Sequence, residues 1–195
     1  DDLRLMEFAE ALRRRRMVRR YTGSPITPVA IDRIIAAGLS APSAGFAQGV
    51  SIVAVTESAR IVAIAAACGE AEWVQRGFKP WLSTAPAHLV ICIEPEVCRS
   101  RYAEADKDPE VLAAIPWWWV DGGAALMAML LATVAEGLAA GFQGGHHTGS
   151  VRSLLGIPDE VILLGIVTVG HAAPDRRSSS LDRGERPGRV HRGTW

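Results

Sequence analysis

The sequence predicts an α+β domain in which a central mixed sheet of about four or five strands carries helices on both faces. Three observations support this. Three short runs, Val50–Val55, His88–Ile93 and Val161–Val169, are apolar and rich in β-branched residues, the composition of strands buried on both sides. The segments between them place apolar residues at helical spacing. A length of 195 residues with 49% hydrophobic content supplies one sizeable core, so the chain reads as a single domain over residues 1–195.

Leu5, Phe8, Ala9 and Leu12 recur at helical spacing and lead into an arginine run, giving an amphipathic helix whose basic last turn suits the helix dipole. The stretch from Thr22 to Pro28 is turn-rich. Thr27 is placed to cap a second helix from Pro28, with Ile31, Ile34, Ile35 and Leu39 on one face and an end forced before Pro42. Val50–Val55 is the first strand, and Ser58 to Cys68 returns to helix. From Gly69 to Pro86 the period is lost, although Trp73, Phe78 and Trp81 fall there; His88–Ile93 is the second strand. Glu94 to Ile115 is polar and broken by Pro95 and Pro109, which predicts an irregular surface excursion.

Pro116 opens the longest helix, to about Glu136, with Gly122, Gly123, Ala124 and Ala125 allowing another helix to approach. Trp117, Trp118 and Trp119 point in different directions around such a helix and read as packing residues, and the role of Asp121 stays open. Gly137 and Gly141 end the helix. Ser150 to Leu155 is a short helix stopped by Gly156 and Pro158, and Val161–Val169 is a central strand. After Gly170 the chain is poor in aliphatic residues and rich in Arg, Gly and Ser, a tail that is disordered or gains order on another surface.

Charge is balanced, 21 basic against 21 acidic residues, but unevenly spread. Arg13, Arg14, Arg15, Arg16, Arg19 and Arg20 cluster near one end, and Arg176, Arg177, Arg183, Arg186, Arg189 and Arg192 near the other. Guanidinium groups that converge hold phosphate oxygens with paired hydrogen bonds; the alternative is a solvated basic surface. The acidic middle opposes a long polyanion, so arginine-rich arms binding nucleic acid are the disfavoured reading. The longest apolar run, Ala124 to Ala135, is bounded by Asp121 and Glu136 and reads as a buried helix rather than a membrane span. Asp1 and Asp2 do not begin a signal peptide, and the expected location is cytoplasmic. Cys68, Cys92 and Cys98 fit buried reduced thiols, and the histidines, including the His146–His147 pair, lack metal-ligand spacing, so no metal is expected. No GxSxG, GxGxxG or Walker pattern is present, which argues against hydrolase and Rossmann readings.

Several segments occur together in an order that resembles the FMN-dependent nitroreductase family: Arg15-Arg16-Met17-Val18-Arg19-Arg20-Tyr21 with Pro25 after it, Ala41-Pro42-Ser43-Ala44-Gly45-Phe46-Ala47-Gln48, Asp121 through Gly137-Leu138 with Leu154-Leu155-Gly156-Ile157-Pro158, and a closing Arg186-Pro187 to Trp195. The resemblance implies a nitroreductase-like three-layer fold, a homodimer with FMN at the interface, and a C-terminal arm, residues 171–195, exchanged between subunits. It leaves a divergent segment, residues 69–116, to cover the substrate. Its implied activity is hydride transfer from NADH or NADPH through flavin N5 to an electron-poor acceptor such as a nitroaromatic or quinone. Similar folds also host flavin fragmentation, dehalogenation and dehydrogenation.

Carried onto this sequence, the resemblance puts Arg15, Arg16, Met17 and Arg19 at the ribityl phosphate, with Arg186 or Arg183 joining from the tail. It puts Pro42, Ser43, Ala44, Gly45, Phe46 and Gln48 against the isoalloxazine ring, from the other subunit. Gln143, Gly144 and Gly145 fall beside N5 and the pyrimidine edge. Met17 stands where the family has Ser, leaving only its backbone to serve. Phe46 stands where the family has Asn, and offers an apolar surface to a substrate instead. On residues alone, 42–48 is equally a helix-terminating loop and 141–145 a glycine-rich turn. No side chain need act as acid or base, so no catalytic residue is assigned.

Overall fold

The structure is a computed structural model that describes residues 6–145, 148–176 and 178–195; Asp1, Asp2, Leu5, His146, His147 and Arg177 lie outside the described residues. Its centre is a four-stranded sheet in the order β1-β2-β4-β3, formed by β1 (Val50–Val55), β2 (Ala87–Ile93), β3 (Ala139–Gly144) and β4 (Ile162–Gly170). All three pairings are antiparallel, which corrects the expected mixed sheet. Among the described residues, parallel pairing enters only as an isolated bridge from Met17 to Ala140.

Alternation along the strands builds two cores. On one face Leu89, Ile91, Val167 and Val169 pack against Ile31 and Ile34 of α2 (Pro28–Leu39) and Met129 and Leu130 of α7 (Trp118–Ala135). On the other, Val90, Cys92 and Ile166 meet Ile61, Ile64 and Ala65 of α3 (Ser58–Ala67) and Val151 of α8 (Thr148–Leu155). The result is the expected three layers. Every residue of β2 is buried because both its faces are covered. Each fully buried Ile or Leu contributes about 1.5–3 kcal/mol over exposure, and this dominates the stability of the sandwich.

Thr27 caps α2 as expected, its side chain accepting from the Ala30 N–H at 3.2 Å. Gly38 of α2 lies so close to α7 that a Cβ there would meet Met129 Cγ at 2.6 Å. Gly122 has a different role from the one expected. A Cβ there would reach Ile93 Cδ1 at 2.7 Å, so this glycine admits the sheet rather than another helix; Gly123 faces open space. By length and hydropathy α7 does match a membrane span, contrary to expectation, with 18 residues at mean hydropathy 1.4. Its packing against α2 and the sheet makes it the core helix of the sandwich.

The irregular segments resolve into short helices. α1 (Phe8–Arg14) leads the chain; α4 (Glu70–Gln75) occupies part of the aperiodic 69–86 stretch. The supposed excursion 94–115 holds α5 (Pro95–Tyr102) and α6 (Glu110–Ala114). Helices of five to eight residues span about two turns, too few for a hydrophobic period to register. Gly141 does not end α7: Gly137, at φ 72°, does, and Gly141 through Gly144 belong to β3 rather than to a turn. From Ser178 to Trp195 every residue is exposed, with a short 3₁₀ turn at Ser179–Arg183.

Candidate functional site

α1 ends at Arg14, where Arg15 turns extended and its N–H makes the last helical bond to Ala11 O. The arginine string then runs along the outer edge of β3. Met17 bridges Ala140, the Val18 N–H donates to Ala140 O at 2.8 Å, and Tyr21 bridges Ala172. The Tyr21 hydroxyl locks the strip, donating to Val18 O at 2.9 Å and meeting Thr168 Oγ1 at 2.7 Å. Burial pushes the Tyr21 phenol up to about 12, only partly opposed by the Thr168 hydrogen bond.

Gly141 permits this close approach. A Cβ there would stand 2.4 Å from Val18 O and 2.8 Å from Trp81 Cζ3. Trp81 also lies under the Arg19 guanidinium, 5.4 Å from the ring centroid. It is held by the buried carboxylate of Glu70, which accepts from the Trp81 and Leu82 N–H groups, each at 2.7 Å, and from Ser83. Arg13 and Arg14 are drawn onto Glu10, whereas among the described residues Arg15, Arg16, Arg19 and Arg20 form no ion pair. Arg16 lines a hollow of about 420 Å³ between α1, α7 and β3, together with Arg13, Arg14 and Val18.

The structure thus brings Arg15, Arg16, Met17 and Arg19 alongside the strand that bears Gln143 and Gly144, with Gly145 just beyond it. β3 is an edge strand, and past Ala140 no strand pairs with its outer side among the described residues, leaving backbone groups there for a ligand. The two ends of the chain also meet at this seam. The Ala173 N–H donates to Arg20 O at 2.9 Å and the Thr22 N–H to His171 O at 3.0 Å. Arg183 and Arg186 lie further along the exposed tail, in no ion pair with an acid among the described residues.

The loop carrying Pro42, Ser43, Ala44, Gly45, Phe46 and Gln48 is elsewhere. It enters β1 at Val50, level with Ile93 and Ile162, on the edge opposite β3 and at the end of the sheet away from Met17. With strands about 4.8 Å apart, the two edges of this sheet are separated by roughly 14 Å, so one chain does not bring this loop to its own arginine string.

The loop is nonetheless firmly built. Gly45, Phe46 and Gln48 all have left-handed backbone, at φ 61°, 56° and 58°. Asp121, in the first turn of α7, accepts from the Ala44 N–H with both carboxylate oxygens, at 3.1 and 3.2 Å. Burial raises the Asp121 carboxyl above its ordinary range, and the Ala44 hydrogen bond opposes this. Arg101 Nε donates to Gly45 O at 2.9 Å, and Ser43 Oγ accepts from the Gln48 N–H at 3.0 Å. The Asp121 and Arg101 tethers are invisible in sequence because each spans more than fifty residues. An acidic residue early in an apolar helix was the one trace of the first.

The Nitroreductase family model matches residues 12–171 of this chain. An Archaeoglobus fulgidus protein named for NADH dehydrogenase/NAD(P)H nitroreductase activity is 25% identical over 93% of this chain and 94% of its own length. The NADPH-flavin oxidoreductase of Vibrio harveyi is 31% identical over 86% of this chain and 65% of its own. Among solved structures, a Parabacteroides distasonis protein named for the first of these activities aligns over 96% of this chain and 98% of its own, at 21% identity and a TM-score of 0.74.

Proposed function

The chain belongs to the nitroreductase family, and from that membership we propose that it is an FMN-dependent enzyme that oxidises NADH or NADPH and reduces an electron-poor acceptor such as a nitroaromatic or quinone. The observation that supports this best is the Met17–Ala140 bridge, which lays Arg15, Arg16 and Arg19, free of ion pairs among the described residues, beside a glycine-bearing edge strand. That arrangement fits the cofactor. Arg15, Arg16 and Arg19 supply charge for a phosphate dianion, and the Met17 backbone lies beside them. Gln143, Gly144 and Gly145 offer backbone groups to a planar ring without a Cβ at the two glycines. Bound FMN supplies the hydride chemistry, and the protein orients it and limits the access of water.

The Pro42–Gln48 loop reaches such a site only in a second subunit. The proposed assembly is therefore a homodimer in which each loop serves the partner's cofactor and Arg183 or Arg186 of an arm completes a phosphate site. Exposed apolar side chains on α1 and α7, among them Phe8 at 67%, Leu12, Val120 and Met127, support a partner surface.

The test is the visible spectrum of the purified protein, release and mass of any yellow compound, and anaerobic addition of NADH and of NADPH. Bleaching by at least one nicotinamide is expected; a protein that binds no FMN, or holds FMN that neither donor bleaches, refutes the proposal. Light scattering behind size exclusion checks the dimer.

A further inference from the structure

Loop 43–48 is held more tightly than a connection needs. Its three left-handed residues include Phe46, an aromatic residue, for which φ 56° is a disfavoured backbone state that persists only where its surroundings over-determine it. Those surroundings are explicit. Asp121 takes the Ala44 N–H, Arg101 takes Gly45 O, and the Gln48 N–H closes onto Ser43 Oγ. Arg101 is itself fixed by Asp106, with Nη1 and Nη2 donating to its two oxygens at 2.8 and 2.9 Å, and by Glu104 at 3.0 Å. Gly45 rests on Tyr102, where a Cβ would touch the ring at 3.0 Å.

This framework does not bury the Phe46 ring. Ala47 beside it is buried, while Phe46 is 75% exposed. A strained backbone that presents a large apolar ring to solvent gains nothing for the single chain from that ring. The strain and tethers instead fix the direction of the ring.

We propose that Phe46 determines acceptor specificity, its ring forming a stacking face for planar aromatic acceptors, with Asp121 and Arg101 as the residues that position it. This rests on the FMN site proposed above. Compact non-aromatic oxidants make no use of that face.

The experiment compares NAD(P)H-driven reduction of menadione, a planar quinone, with that of ferricyanide, in the parent, Phe46→Asn and Phe46→Tyr proteins. Asn tolerates left-handed backbone, so Phe46→Asn keeps the loop while deleting the ring. The ratio of kcat/KM for menadione to that for ferricyanide is expected to fall about three- to tenfold in Phe46→Asn, the worth of one aromatic contact, and to stay near the parent value in Phe46→Tyr. An unchanged ratio in Phe46→Asn overturns the proposal. So does an equal fall in Phe46→Tyr, or a dimer-to-monomer shift in Phe46→Asn that makes the ring a subunit contact instead. A parent whose flavin is not bleached by either nicotinamide defeats the underlying reading first, and is recognised before any variant is assayed.

Discussion

Gly141→Ala is the sharpest test of the seam between the arginine string and β3. The added Cβ would lie 2.4 Å from Val18 O, 2.8 Å from Trp81 Cζ3 and 2.9 Å from Thr168 Oγ1. The first is a backbone atom, so no rotamer change relieves it. Reaching an ordinary separation of about 3.5 Å requires the strip to move by roughly 1 Å. That movement breaks the Val18 N–H bond to Ala140 O and disturbs the Tyr21 bond to Val18 O, on top of the overpacking itself. Overpacking costs about 1–3 kcal/mol and each bond about 1 kcal/mol, so a loss near 3 kcal/mol is expected. In a chain of this size that lowers Tm by roughly 6–12 °C.

The assay is thermal melting by circular dichroism on flavin-free protein, followed by FMN titration. FMN affinity should fall at least about tenfold if the proposed phosphate site is right, because Arg15, Arg16 and Arg19 move with the strip. Gly144→Ala is the control for adding a methyl group to β3: its Cβ would meet only Phe142 Cε1, at an ordinary 3.7 Å, and Tm should move by no more than about 2 °C. A Gly141→Ala protein that melts with the parent refutes the seam. One that is destabilised yet binds FMN unchanged refutes the placement of the phosphate there.

Three further outcomes are expected. The unfolded chain loses its tyrosine proton near 10 and Tyr21 in the fold near 12, so the Tyr21 contribution is complete below pH 10 and about 3 kcal/mol is lost as pH rises through 12; urea denaturation should show this decline, and Tyr21→Phe should remove it while lowering neutral stability by about 1–2 kcal/mol. The Asp121 carboxyl is raised by burial, so its contribution is full below its unfolded value of 3.8 and falls as pH rises through the higher folded value. Asp121→Asn, which keeps an acceptor for Ala44, should flatten that part of a Tm–pH profile, and Asp121→Ala should cost about 1–3 kcal/mol at neutral pH. Burial also pushes the Cys68 and Cys92 thiols up to about 11, so a colorimetric thiol reagent at pH 8 should find all three cysteines only after unfolding.

Much of the sandwich was legible because long elements carry their period in plain view. Ile31, Ile34 and Leu39 announce α2, and the β-branched runs announce β1, β2 and β4. β3 was not legible: Ala139-Ala140-Gly141-Phe142-Gln143-Gly144 has the composition of a turn, and it is a strand because β4 and Met17 pair with it. The site divides in the same way. Arg15, Arg16, Met17 and Arg19 were selected by the family resemblance within an arginine cluster that its chemistry marked, and they lie together along one edge. The reasons that they lie there, the Tyr21 lock, the shelf of Trp81 and the carboxylate of Glu70, are contacts across distant sequence. So are the tethers at Ala44 and Gly45, which no spacing rule reveals.

The sheet order has a bearing on how the chain comes to exist. β4 is the last strand in sequence yet lies between β2 and β3. During synthesis on the ribosome, β1 and β2 can pair early, but β2 then waits with a bare apolar flank until residue 170 has emerged. Only then do β3, the arginine strip and the root of the tail find their places, almost in one event. A nascent chain stalled short of that point leaves the β2 edge unpaired, and the border formed by β3 and the arginine strip is completed last.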